Sequence, residues 1–172
     1  MRIPAWVDGA LTPVDKLEVH RRGLRHPAVS VFVQRGGETL LQRRAAGKYH
    51  TPGLWANACC THPAWGEDPA ACAARRLGEE LGLVVPELRH AGRVEYRAEV
   101  GGGLTEHEVV EVFTAEAPPG VEPRPAPEEV AATRWLPLDA LRAEVAAEPA
   151  RFSAWLRIYL ADHLDAILGR AA

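Results

Sequence analysis

Long apolar runs are missing from this 172-residue chain, and no stretch approaches the roughly 18 consecutive apolar residues that a membrane helix needs. Strong charge of either sign is missing too. Twenty basic residues stand against 23 acidic ones, and the net charge of −3 gives no general attraction to nucleic acid or an anionic membrane. Cysteine is scarce: of three residues, two are adjacent. An odd number cannot all pair within the chain and a disulfide between neighbours is strained, so reduced thiols are expected. The first residues, "MRIPAWVDGALTPVDK", hold no basic region followed by an apolar one, and a cytoplasmic protein is expected. What is present is ordinary for a globular chain, 47% hydrophobic and 25% charged. A single core-bearing domain over residues 1–172 is expected.

Local patterns give a mixed sheet with helices. Ala28 to Gln34, "AVSVFVQ", is rich in β-branched residues, and Thr39 to Arg44 follows across a Gly-Gly turn, which predicts a hairpin. "EDPAACAARRLGEELGL" has Pro69 near its first turn, Ala70, Ala74, Leu77 and Leu81 at helical spacing, and Gly82 at its end. It predicts a helix over about 67–82. Strand patterns return at Arg93 to Val100 and Glu106 to Thr114, separated by glycines, and again at Ala131 to Leu136. The Pro-rich "APPGVEPRPAPEE" reads as a surface loop, because the roughly fifty residues after it are few for a second domain. The C-terminal stretch predicts two helices broken around Glu148 and Pro149, with Trp155, Ile158, Tyr159, His163, Leu164 and Ile167 on the apolar side of the last.

Chemistry concentrates in a few places. In an extended "ACCTHP" segment, side-chain alternation puts Cys60 and His62 on one face and Cys59 and Thr61 on the other. A thiol beside a histidine is a reactive arrangement, although free cysteine is more often a small buried apolar residue. In "EHE" the same alternation puts Glu106 and Glu108 on one face, where they raise each other's pKa and invite a cation; a solvated edge is the plain alternative. With His20, His26 and His62 these carboxylates make a set suited to a divalent transition metal. On the predicted helix, Arg75, Arg76, Glu79 and Glu80 suit either an exposed face laced with ion pairs or a phosphate site.

With Glu67 eight residues before Arg75, this helix resembles the Nudix box, a glutamate-bearing helix that holds magnesium on diphosphates. It departs from the box in having Arg76 where a glutamate is expected and Thr61 where a glycine is. The arginine suits gripping a phosphate better than supporting a hydrolytic metal cluster. The fuller resemblance is to the type I isopentenyl-diphosphate isomerases of the Nudix superfamily. "KLEVH", "LLQRRAAGKYHTPGLWANACCTHP", "RRLGEELG", "VEYRAEV", "EHEVVEVF" and "FSAWL" stand in family order. The Trp-x-Asn-x-x-Cys-x-His-Pro and Glu-x-Glu motifs are the most specific.

The resemblance implies an α/β (α+β) Nudix fold, a mixed sheet flanked by helices. It also implies roles. Cys60 is the catalytic cysteine, with Glu108 and Tyr96 as its acid–base partners. His20, His26, His62, Glu106 and Glu108 form a shell for Mn2+, Zn2+ or Mg2+. Glu80, with the Cys60 carbonyl, binds a Mg2+ that bridges the substrate diphosphate. Lys16, Arg44, Lys48 and Arg76 grip the diphosphate, and the Trp155 ring faces the carbocation. His20 and His26 stand one residue closer together than the family spacing. The implied partner is a small-molecule diphosphate, acted on by a monomer or homodimer. A Nudix nucleotide hydrolase and a non-catalytic metal-binding domain are the competing readings.

Overall fold

The structure, a computed structural model, describes residues 1–169. Strands β1 (Arg2–Val7) and β2 (Ala10–Asp15) form a hairpin through Asp8 and Gly9, both at positive φ as a two-residue type I′ turn demands. Asp15 then caps α1 (Lys16–Arg22), its carboxylate accepting from the Leu17 and Glu18 amides. That cap fixes Lys16 at the start of the helix and turns His20 into the interior.

A splayed hairpin organises the main sheet. Strands β3 (His26–Arg35) and β4 (Glu38–Arg44) pair only beside their Gly-Gly turn, at Gln34↔Thr39 and Arg35↔Glu38. Beyond it the gap is filled by two short strands joined through Ala58. The first, β5 (Trp55–Asn57), pairs with β4, and β6 (Cys59–Thr61) pairs with β3 at Ser30↔Cys60. The Asn57 side chain holds this crossover, its Nδ2 donating to Val31 O and Ser30 Oγ, both at 2.9 Å. Gln42 ties it from β4, donating to Ala58 O at 2.9 Å.

The other edge of β3 takes β8 (Leu104–Glu116) in parallel, and β7 (Arg89–Gly101) pairs antiparallel with β8. The other edge of β4 takes β9 (Val130–Pro137). Parallel and antiparallel pairs thus share one sheet, the mixed architecture expected from the sequence. The Pro-rich segment is a loop between β8 and β9, tethered by Arg35 donating to Val121 O at 3.0 Å.

Helix α2 (Pro69–Leu81) covers one face. Asp68 caps it, Pro69 opens it and Gly82, at φ 60°, closes it. A Cβ on Gly82 would stand 3.0 Å from the Arg124 carbonyl oxygen, so the close approach of the Pro-rich loop requires glycine there. Leu77, Leu81, Cys72 and Ala73 pack on Val29, Val31, Val33 and Cys59. The opposite face is covered by the C-terminal elements: α3 (Leu138–Ala147), a 3-10 turn (Pro149–Arg151), α4 (Ala154–Ile158), a π-helical segment (Tyr159–His163) and α5 (Leu164–Ile167). There Trp155, Leu156, Tyr159, Leu164 and Ile167 pack with Ala28, Phe32, Tyr96 and Val112. Both faces of β3 are therefore buried, which explains why "AVSVFV" reads as a continuous apolar run. None of the described helices is long and apolar enough to cross a membrane.

Candidate active site

Strand register lays the first row of the site. His26 on β3 stands opposite Glu108 on β8, which stands opposite Tyr96 on β7. Tyr96 Oη donates to Glu108 Oε2 at 2.5 Å, and Glu108 Oε1 lies 3.0 Å from His62 Nε2. Two residues before Glu108, Glu106 shares its face, while His107 turns away toward Glu95. Helix α1 brings His20 from the side, and the residue after β6 brings His62.

These imidazoles are pre-oriented. His20 Nδ1 donates to Lys16 O at 2.6 Å and His26 Nδ1 to Leu24 O at 2.7 Å, so both Nε2 lone pairs point inward. There they meet other acceptors: His20 Nε2 is 3.0 Å from Glu106 Oε2, and His26 Nε2 is 3.1 Å from His62 Nε2. Glu106 Oε2 itself makes no hydrogen bond. Buried acceptors held against acceptors need a cation between them. The ligand atoms of His20, His26, His62 and Glu106 all lie within 4.8 Å of one another, so the donor set fits a divalent metal.

The local electrostatics follow the same geometry. With no cation between these groups a proton takes its place: burial alone would lower His26, but the carboxylates of Glu106 and Glu108 outweigh it and hold it near 9. Burial and the nearby Lys16 pull His62 down to about 3. Glu106 is held well below the carboxylate range, because the imidazoles of His20, His26 and His50 override the effect of burial.

Beside this cluster opens a pocket lined by Cys60, Tyr96, Glu108 and Trp155, with Lys16, Arg44, Lys48, Arg76 and Glu80 around it. Cys60 Sγ donates to Asn57 Oδ1 at 3.1 Å and lies 3.3 Å from Ser30 Oγ. Burial pushes its thiol up to about 12, so it carries its proton at neutral pH. The basic side is under-neutralised. Burial, with Lys48 nearby, drops Lys16 to about 8, and the buried Nε atoms of Arg44 and Arg76 have no partner. Arg44 also stands 5.3 Å from the centre of the Trp155 ring. Such a cluster is built for a multiply charged anion.

A Nudix domain model matches residues 24–156. Over 165 residues the chain is 67% identical to the isopentenyl-diphosphate Delta-isomerase of Rhodobacter capsulatus, covering 96% of this chain and 94% of that one. It is 62% identical to the protein of the same name from Dinoroseobacter shibae over 170 residues, covering 99% and 97%. The chain belongs to the isopentenyl-diphosphate Delta-isomerase family. A solved Deinococcus radiodurans structure, 15% identical with a TM-score of 0.68 and covering 86% of this chain and 90% of that one, shares the fold.

The site of this family member gathers the residues singled out in the sequence. Lys16, Arg44, Lys48, Cys60, His62, Arg76, Glu80, Tyr96, Glu106, Glu108 and Trp155 line one pocket, and His20 and His26 close its buried end. The shortened spacing between the two histidines is accommodated: Gly23, at φ 59°, ends α1 and lets the chain turn straight into β3. On α2 the ambiguity of the paired charges resolves residue by residue. Arg75 forms exposed pairs with Glu67 and Glu79, whereas Arg76 faces the pocket and donates to Glu80 at 2.6 Å. Glu80 is buried and accepts from Gln42 at 3.2 Å, so it is held in place from two elements.

Other residues in contact with this cluster escaped the sequence. His50 Nε2 lies 2.9 Å from Glu106 Oε1, Tyr49 Oη lies 3.2 Å from His20 Nε2, and Ser30 sits beside Cys60. Glu129, from the end of the Pro-rich loop, pairs with both Lys48 and Arg76. Asn57 was visible as part of the cysteine motif, but its task, holding both the β5–β6 crossover and the thiol, required the pairing of distant strands.

Proposed function

We propose that the two carbon-facing groups of this isomerase are Cys60 and Glu108, with Tyr96 serving Glu108. The enzyme interconverts isopentenyl and dimethylallyl diphosphate. The observation that carries the division of roles is the pocket's polarity: a thiol, a phenol-bound carboxylate and an indole at one end, a cluster of four cations at the other.

The substrate alkene is unactivated. A proton added to its terminal CH2 carbon leaves a tertiary cation at the branch carbon, and loss of a proton from the CH2 on the other side forms the new double bond. One proton enters and one leaves, so a donor and an acceptor are needed, and they exchange roles in the reverse direction. Cys60, protonated at rest, and the Glu108 carboxylate make such a pair. The short Tyr96 bond gives Glu108 a route by which a proton reaches or leaves it. Trp155 supplies an electron-rich ring for the transient cation and no nucleophile to trap it.

Lys16, Arg44, Lys48 and Arg76 bind the diphosphate and fix the distance from it to the reacting carbons. Glu80, with the Cys60 carbonyl, would hold Mg2+ against the diphosphate, and His20, His26, His62, Glu106 and Glu108 would hold Mn2+, Zn2+ or Mg2+. Bound there, these ions supply positive charge that neutralises the diphosphate and fixes the ionised state of Glu108. The chain acts as one catalytic domain over residues 1–172.

The test is incubation of the pure protein with isopentenyl diphosphate and Mg2+, following dimethylallyl diphosphate and free phosphate together. Dimethylallyl product without phosphate is expected. Phosphate release without isomerisation would instead establish the hydrolase, a reading that Arg76 disfavours by placing a cation where a hydrolytic cluster needs a carboxylate.

A further inference from the structure

The groups assigned so far account for only one oxygen of Glu106. Its Oε2 faces His20 and His26 at 3.0 and 3.4 Å without a hydrogen bond. Its Oε1 is taken by His50, whose Nε2 lies 2.9 Å away. His50 sits on the loop after β4 and is only 6% exposed. Its second ring nitrogen, Nδ1, is 3.0 Å from Thr51 Oγ1.

The direction of both hydrogen bonds follows from what each partner can do. A carboxylate oxygen only accepts, so Nε2 carries the hydrogen, Nδ1 is left as acceptor, and the Thr51 hydroxyl donates to it. The loop is built around the contact. Thr51 has φ 46°, a left-handed conformation in which a β-branched residue is an outlier. The His50 carbonyl accepts from Arg44 Nη2 at 3.2 Å, and its ring stands edge-on to Tyr49 and Trp155 with centroids at 4.3 and 6.0 Å.

We infer that His50 and Thr51 form a positioning pair that holds the Glu106 carboxylate by Oε1 so that Oε2 is presented to a divalent cation among His20, His26 and His62. The inference rests on reading that cluster as the metal site. A carboxylate free to rotate about its last torsion loses orientation on every approach of the ion, and one donor on Oε1 removes that freedom. Hydrogen-bonding partners of this outer kind typically change metal affinity by about 10- to 100-fold when removed.

The experiment titrates Mn2+ into metal-depleted full-length protein by calorimetry, for wild type, H50A, H50Q and T51V, with circular dichroism and thermal melting of each metal-free form as the folding check. H50A is expected to bind Mn2+ about 10- to 100-fold more weakly. H50Q, whose amide N–H reaches toward Oε1, is expected to recover most of that loss. T51V, nearly isosteric but without the hydroxyl, is expected to fall between wild type and H50A. A Kd for folded H50A within twofold of wild type, or an H50Q no better than H50A, overturns the inference while leaving the metal site standing. Wild type that is folded yet binds no Mn2+ overturns the metal-site reading and this inference with it. If H50A does not fold, the ordering of wild type, H50Q and T51V decides.

Discussion

Cys59 and Cys60, neighbours in sequence, face opposite sides of the sheet: Cys59 is fully buried under α2 with Cys72 and Leu77, and Cys60 lines the pocket with Tyr96, Glu108 and Trp155. Pleating imposes this, and it separates their fates under mutation. Cys60→Ala is expected to lower kcat by about 10²- to 10⁴-fold, the range of a lost acid–base group. Cys59→Ala should keep kcat within about twofold and cost about 1 kcal/mol of stability through a small void. Steady-state assays with urea unfolding of both variants check this; equal losses of activity would refute the assignment.

Tyr96→Phe removes one oxygen and leaves the ring packing in the core. The lost partner is a charged carboxylate at 2.5 Å, a class of hydrogen bond with a net contribution of about 1.5–3 kcal/mol. Because the proposal puts the pair at the carbon end of the pocket, kcat is expected to fall by about 10- to 100-fold while KM for isopentenyl diphosphate stays within about twofold. A change confined to KM would place Tyr96 in substrate binding instead.

The parts of the fold legible in the sequence are those with strong local signals. Enrichment in β-branched residues with a Gly-Gly turn gave the β3–β4 hairpin to within two residues, and Pro69, the apolar spacing and Gly82 bracketed α2. The N-terminal hairpin β1–β2 went unread, although its Asp8-Gly9 dipeptide between short strands is a turn signal. Strands β5 and β6, at three residues each, fall below any period that a sequence can display. Their existence depends on the splaying of β3 from β4, a tertiary fact. The same limit hid His50, which reaches Glu106 across fifty-six positions from a loop with no motif of its own. His20, His26, His62 and Glu106, which the structure brings together, stood out in the sequence because alternation and motif singled them out without any knowledge of their contacts.

Glu67 gives a pH-dependent stability. Arg75 grips its carboxylate at 2.7 and 2.9 Å and the Ala64 amide adds a third bond, lowering its pKa from 4.5 to about 2. A depressed folded pKa means stabilisation that is present above about 4.5 and is lost as pH falls through about 2. Arg75 is 40% exposed, so solvent screening keeps the contribution near 1 kcal/mol. Glu67→Gln should therefore be about 1 kcal/mol less stable than wild type at pH 7, with the gap narrowing steadily below pH 4.5. Urea midpoints from pH 7 down to 3 measure it, and a gap independent of pH would assign the effect to packing.

Lys16 gives the opposite signature, in binding. Burial and the neighbouring charge of Lys48 lower it to about 8, so above that pH the free enzyme increasingly presents a neutral amine to its anionic substrate. A bound diphosphate favours the ammonium, so binding below pH 8 needs no proton uptake, whereas binding above it must draw one from solvent. Measured relative to Lys16→Arg, which shares every ionisation of the ligand itself, the Kd for inorganic pyrophosphate is accordingly expected to be flat from pH 6.5 to 7.5 and to rise above 8, approaching tenfold per unit as the amine is depleted. Lys16→Arg keeps its charge throughout this range and should abolish the rise, even if its planar head binds more weakly at neutral pH. Calorimetric titration of both proteins across the range distinguishes the outcomes. A rise that persists unchanged in the arginine variant would move the titrating group elsewhere in the grip.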